Sequence, residues 1–306
     1  MISKKYFVLR KILFISFLAI SFTSNADINF YGKVNVSLED TDLNASSKTE
    51  FKNNASRIGF KGSFDISSSL ELSFQIEEEI DPTDFKADGD KVFKERNSFI
   101  AISGSFGEFL AGTYDTAFKK SQLKIDLFND TRADIKYILR GENRMNSFMG
   151  YTSPDFIEGF NVSINSISQS TGRGESIALN YSNNNINASL GIDQNIKGYD
   201  AERFSIMLPL RNIDLGLLYQ TSKKLSSAKS YSGHVVSMKK KVSNNGSVYA
   251  QNAKSNMRII SGNQNSIGYS YKINKSTKAF IHYSSLSKED KDEDVVFTSI
   301  GFEYKF

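Results

Sequence analysis

Period two governs this chain. From Ile28 onward it runs in segments of roughly ten residues in which apolar and polar side chains alternate, the spacing of a β-strand with one apolar and one polar face. In VVFTSIGFEYKF (295–306), Ile300, Phe302, Tyr304 and Phe306 share one face, and Ser299, Gly301, Glu303 and Lys305 share the other. INFYGKVNVSL (28–38) sets Ile28, Phe30, Val34, Val36 and Leu38 against Asn29, Lys33, Asn35 and Ser37. SRIGFKGSF (56–64) sets Ile58, Phe60 and Phe64 against Arg57 and Lys61, and LELSFQIE (70–77) continues the rhythm. Further segments near 96–103, 108–114, 143–153, 159–168, 176–182, 186–194, 201–208, 213–221, 230–241, 247–253, 265–273 and 277–286 bring the total to about sixteen. Short turns rich in Asn, Gly, Pro and Ser alternate with longer polar loops, among them Glu39 to Asn54. A soluble sandwich would need a filled interior. Here one face of nearly every segment is Ser, Asn, Lys, Glu or Arg, and about sixteen closed strands enclose too wide a space for side chains to fill. The expectation is an all-β fold, a transmembrane antiparallel β-barrel over 27–306 as a single domain with water inside.

The amino terminus fits export. Lys4, Lys5, Arg10 and Lys11 precede the apolar run ILFISFLAI (12–20) and the small-residue stretch Ser24-Asn25-Ala26, which reads as a secretory signal peptide over 1–26. That run is too short for a helical span. Its removal changes the charge argument. The chain has 38 Lys and Arg against 34 Asp and Glu, and cleavage takes four basic residues and no acidic one, leaving 34 of each. A neutral mature chain gives no electrostatic basis for nucleic-acid binding. There is no Cys, so thiol chemistry, disulfides and thiolate metal sites are excluded.

Three blocks carry a family likeness: GSFGEFLAGTYDTAFKK (104–120), IDLFNDTRADI (125–135) and NSFMGYTSPDFIEGF (146–160). SRIGFKGSFDISSSLELSFQIE (56–77), GYSYKINKSTKAFIHYS (268–284) and the terminal GFEYKF extend it over essentially all of 27–306. In order and spacing the chain resembles the general diffusion porins of Gram-negative outer membranes. The resemblance implies a sixteen-stranded barrel, a homotrimer, and a third outer loop folded into the lumen. It further implies passive diffusion of small hydrophilic solutes and ions, contact with outer-membrane lipid and lipopolysaccharide, no cofactor or metal, no enzymatic activity, and an aromatic terminal residue, Phe306, used in membrane assembly.

The inward loop would be 115–140, also the longest stretch that breaks the alternation. By the resemblance, its carboxylates Asp115, Asp126, Asp130 and Asp134 form one wall of a constriction. The facing basic wall is Arg57 and Lys61, then Arg96 and Arg144. Opposed rows of charge would set a field across the pore and tune ion preference, while width sets the size limit. Two features depart from the family pattern: Thr113 stands where a basic residue is common, and the loop carries its own Lys119, Lys120, Lys124, Arg132 and Lys136.

Other readings are weaker. The acidic stretch Asp81 to Asp90 lacks the spacing of a calcium loop. His234 and His282 have no glycine-flanked nucleophile nearby. Tyr31, Tyr269, Tyr271, Tyr283, Tyr304 and Phe306 suit interfacial girdles. A solute-selective channel with a binding track and a non-channel barrel, structural, adhesive or hydrolytic, are the alternatives to passive diffusion.

Overall fold

The computed structural model describes residues 27–43, 46–83, 93–257, 262–288 and 294–306. The expected signal peptide 1–26 and the acidic residues 84–90 lie outside the described residues. The strands are β1 (Asp27–Leu43), β2 (Ser46–Asn53), β3 (Arg57–Ser67), β4 (Leu70–Ile80), β5 (Phe93–Glu95), β6 (Ser98–Gly104), β7 (Gly107–Asp115), β8 (Arg144–Thr152) and β9 (Phe160–Gln169). They continue as β10 (Gly172–Ser182), β11 (Asn187–Ile196), β12 (Tyr199–Leu210), β13 (Ile213–Lys224), β14 (Ser230–Lys241), β15 (Gly246–Ser255), β16 (Gly262–Lys272), β17 (Thr277–Lys288) and β18 (Asp294–Lys305).

Every pairing is antiparallel, and β18 returns to β1 with Leu38 opposite Ile300, which closes the sheet. Two barrel strands are broken. β2 pairs with the Val36–Leu43 half of β1 and β3 with its Asp27–Lys33 half, the break falling at Asn54–Ser56. β5 and β6 share β4 in the same way, with the break at Arg96 and Asn97. Eighteen segments therefore make sixteen barrel strands. Ala55 takes φ 55° at the first break. Ser56 repairs the ladder there: its hydroxyl oxygen accepts from the Asn35 N–H at 2.9 Å and donates to the Asn35 carbonyl at 3.2 Å. Bulges of this kind bend a strand and re-aim the side chain that follows.

The stretch Glu39 to Asn54, expected as a polar loop, is instead the far end of the β1–β2 hairpin. Apart from Leu43 and Phe51 both faces are polar there, so the apolar half of the alternation nearly vanishes while the ladder continues. Cross-strand hydroxyls take its place, with Ser47 and Thr49 donating to Asp40 at 3.1 and 2.7 Å.

Alternation separates the two faces. Phe30, Phe60, Ile100, Phe109, Met149, Leu190, Ile267 and Ile300 are exposed on the outside, where lipid would solvate them. Asn35, Ser176, Ser205, Gln220, Gln251 and Ser299 are buried on the inside. Tyr269, Tyr271, Tyr283, Tyr304 and Phe306 point outward. Tyr31 does not belong to that girdle: its odd position on β1 turns it into the lumen, where its hydroxyl donates to Glu77 at 3.0 Å. At the seam, the Gly32 N–H donates to the Phe306 carbonyl at 3.0 Å and the Phe306 N–H to the Gly32 carbonyl at 3.2 Å. The Phe306 ring lies where a Cβ on residue 32 would stand, 2.3 Å from its nearest atom.

Candidate functional site: the lumen and its inner loop

The connection from β7 to β8, residues 116–143, enters the barrel. Thr116 caps a short helix, α1 (Ala117–Lys120), its side chain accepting from the Lys119 N–H at 3.1 Å. Helix N–H groups are fastened to the wall: Ala117 donates to the Asn165 side chain and Phe118 to the Ser176 hydroxyl at 2.9 Å. Gly191 of β11 permits this approach, since a Cβ there would stand 2.4 Å from the Ser121 hydroxyl oxygen. The loop then runs along the inner wall. Ile125, Ile135, Ile138 and Leu139 are fully buried against Leu218, Val235 and Ala253, one of several apolar patches on a mainly polar inner face. Phe128 packs on Tyr249 and His282, with ring centroids at 5.0 and 5.6 Å.

At the tip, Asp130 adopts φ 69°, a left-handed conformation that Asp tolerates better than most residues. Its carboxylate reaches Lys33 of β1 at 2.8 Å and Arg57 of β3 at 3.0 Å. The returning limb begins with a 3-10 turn, Ile135–Tyr137, capped by Asp134, which accepts from the Lys136 N–H at 2.8 Å and from the Asp130 N–H at 3.0 Å.

The loop thus covers the inner wall from β9 round to β18 and touches β1 and β3 at its tip. What remains is a cavity of about 1080 Å³ between β3–β8 and the free face of the loop. Eight basic and eight acidic side chains line it. On the wall, Arg96 donates to Glu77 at 2.7 Å and to Glu79 at 2.8 Å, and Arg144 meets Asp115 at 3.1 Å. On the loop, Lys119 meets Asp115 at 3.0 Å and Lys136 meets Asp134 at 3.3 Å. Among the described residues, Lys94 and Lys124 line the cavity with no carboxylate partner, and Glu95 accepts only from the Thr113 hydroxyl.

Environment decides which loop carboxyls stay ionised. Burial would raise the Asp130 carboxyl, yet Lys33 and Arg57 hold it below its ordinary value. Asp126 goes the other way: burial, then the neighbouring Asp134, push it well above the usual carboxylate range despite N–H donors from Phe128 and Ile135. Glu142 is also raised by burial, an effect that Arg203 partly offsets.

The expected site residues separate into groups. Arg57, Arg96, Arg144, Asp115 and Asp130 meet at the cavity. Asp126 and Asp134 line it too, but their carboxylates brace the loop's own backbone. Lys61 falls short of the cavity: it sits two inward positions beyond Arg57 toward the short-turn end, its ammonium 5.2 Å from the Tyr31 ring centre. The expected split into an acidic loop and a basic wall gives way to mixed faces, because Glu77 and Glu79 share the wall with the arginines and Lys119, Lys124 and Lys136 share the loop with the aspartates. Lys33, Glu77, Glu79, Glu142 and Arg203 were not anticipated as site residues. Lys33 and Glu77 carry a polar-face signal in their strands, but no local pattern reports that a loop a hundred residues away will meet them.

A closed barrel of sixteen strands, mainly polar inside, apolar outside and narrowed by its own third outer loop, is the architecture of a pore-forming membrane barrel. The chain belongs to the Gram-negative porin family, whose model matches residues 14–305. It is 29% identical over 167 residues to the major outer membrane protein P.IB of Neisseria sicca, covering 50% of this chain and 45% of that one. To P.IB of Neisseria gonorrhoeae it is 26% identical over 192 residues, covering 57% and 53%. The match thus spans about half the length of these relatives. Among solved structures it is similar to an anion-selective porin from Comamonas acidovorans, at TM-score 0.80 and 20% identity over 92% of this chain and all of that one. It is also similar to Salmonella typhi OmpF in complex with daunomycin, at TM-score 0.77 and 14% identity over 94% and 99%.

Proposed function

We propose that the chain is a passive channel of the Gram-negative outer membrane, admitting small hydrophilic solutes and ions, with a preference for anions. The observation that carries the channel reading is the cavity left between the loop and β3–β8, lined by charged and amide side chains. Such a lining suits water and polar solutes, and ring charges in a narrow passage select ions by sign. No covalent step is required, so the chain acts without catalysis. The constriction residues in this reading are Asp115 and Asp130 with Arg57, Arg96, Arg144 and Lys33. Asp126 and Asp134 shape the loop.

Preference for anions follows from which charges are answered. Among the described residues, every lining carboxylate except Glu95 and Asp126, which burial raises, lies within an ion pair, while Lys94 and Lys124 face the cavity without one. The Comamonas neighbour is itself described as anion-selective, and the lysines are this chain's own support for the same sign. A homotrimer is the proposed assembly, in keeping with a Vibrio cholerae neighbour described in trimer form. The reversal potential of the purified protein in a salt gradient tests the preference: an anion-signed potential supports it, and a cation-signed one refutes it. Lys124→Glu should shift that potential toward cations.

A further inference from the structure

The geometry points to Arg203 as the residue that holds the inner loop folded into the pore, and so sets the width of the passage from behind. This inference rests on reading the chain as an open channel. Arg203 lies on β12, faces inward, and its side chain has no exposure. Its Nη1 donates to the carbonyl of Phe118, on the limb that enters the lumen, at 3.1 Å. Its Nη2 reaches the carbonyl of Arg140 at 3.3 Å and the carboxylate of Glu142 at 2.9 Å, both on the limb that leaves. One guanidinium therefore ties the two ends of a 28-residue excursion to each other and to the wall.

Two further features reinforce the tie. The Phe118 ring lies against the guanidinium, 4.3 Å from its centroid. Gln220, the register partner of Arg203 on β13, accepts from Nε at 2.9 Å and from Nη2 at 2.7 Å, and donates its own amide to the Arg140 carbonyl at 2.8 Å. Gly141 makes the fit possible: at φ 96°, a Cβ there would stand 2.3 Å from the Phe118 ring. Arg203 touches neither the cavity nor a passing solute, so it acts as a positioning residue. A buried charge persists only where geometry and partners answer it, and only a planar fork serves two carbonyls and a carboxylate at once.

The test is single-channel recording of three proteins: the unaltered chain, Arg203→Ala and Arg203→Lys. Unheated electrophoresis first shows that each barrel is folded. Both variants should flicker to a level roughly twofold higher as the loop leaves the passage, since pore width sets conductance. Arg203→Lys separates loop release from a mere change of charge, since it keeps the positive charge and loses the planar fork that reaches both limbs. Should folded Arg203→Ala and Arg203→Lys both keep the original level and noise, or should Arg203→Lys behave as the unaltered chain, the clamp is refuted. If the unaltered chain conducts nothing, it is the channel reading that fails.

Discussion

At the residue scale, the tip contact is the point most exposed to test. Asp130 answers Lys33 and Arg57 together, so Asp130→Asn should remove the nearest carboxylate from both, leaving them only Glu303 at 3.9 Å and Glu77 at 3.8 Å, and shift the reversal potential further toward anions. It should also raise current noise at neutral pH, because the tip loses its anchor. The pH dependence of the unaltered chain has two limbs with opposite signs. Asp130 is held below its ordinary value, so its contribution is complete above the ordinary carboxylate value and is lost as pH falls through the lowered one. Asp126 is raised, so its contribution is complete below the ordinary carboxylate value and declines as pH rises through the raised one. Noise measured across pH should pass through a minimum in mildly acidic buffer, and Asp130→Asn should erase the acid limb alone. A monotonic profile in the unaltered chain would remove this account of the seat. Alternation along β1 marks Lys33 as inward and the loop stands out as an interruption, but the pairing of Lys33 with Asp130 spans 97 residues, beyond the reach of local pattern.

At the element scale, the loop is held by shape as much as by charge. Its apolar seat uses Leu218, Val235 and Ala253, three inward positions where the wall departs from polar residues. Gly233 leaves room for Leu139, since a Cβ there would stand 2.5 Å from the Leu139 side chain. Gly233→Val should therefore crowd the returning limb and also Ser255 of β15, whose Cβ would stand 2.6 Å away, a clash of about 1–3 kcal/mol. The expected readout is a noisier, larger conductance together with a lowered barrel melting temperature; unaltered noise would show that the limb is held elsewhere. Truncating the other side, Leu139→Ala, should weaken the seat by about 2–5 kcal/mol with the same electrical signature. Most barrel strands were legible in the sequence to within a few residues, because one side must meet lipid and the other water. The β2–β3 break was not, because Ser56 bonding to Asn35 restores the ladder without any change in hydrophobic pattern. The β1–β2 extension was missed for a related reason: both of its faces meet water, so period two carries no signal there.

At the scale of the whole molecule, the barrel is a wall and the loop is its lining. Sixteen strands give a lumen wider than side chains can fill, and a 28-residue excursion occupies the part backed by β9–β18. The number of strands and the inward loop were visible from rhythm and from likeness to a family. The distribution of charge was not, because it depends on where Glu77, Glu79 and Arg96 land across a broken strand. The central claim is that water and ions pass between the loop and β3–β8. Single-channel conductance of the purified, folded protein in a planar bilayer, with the reversal potential read in a salt gradient, tests it most directly. Stable steps arriving in threes, with an anion-signed potential, are the result expected. A folded, inserted barrel that carries no current would contradict it, and would make the chain a closed barrel whose loop seals the lumen.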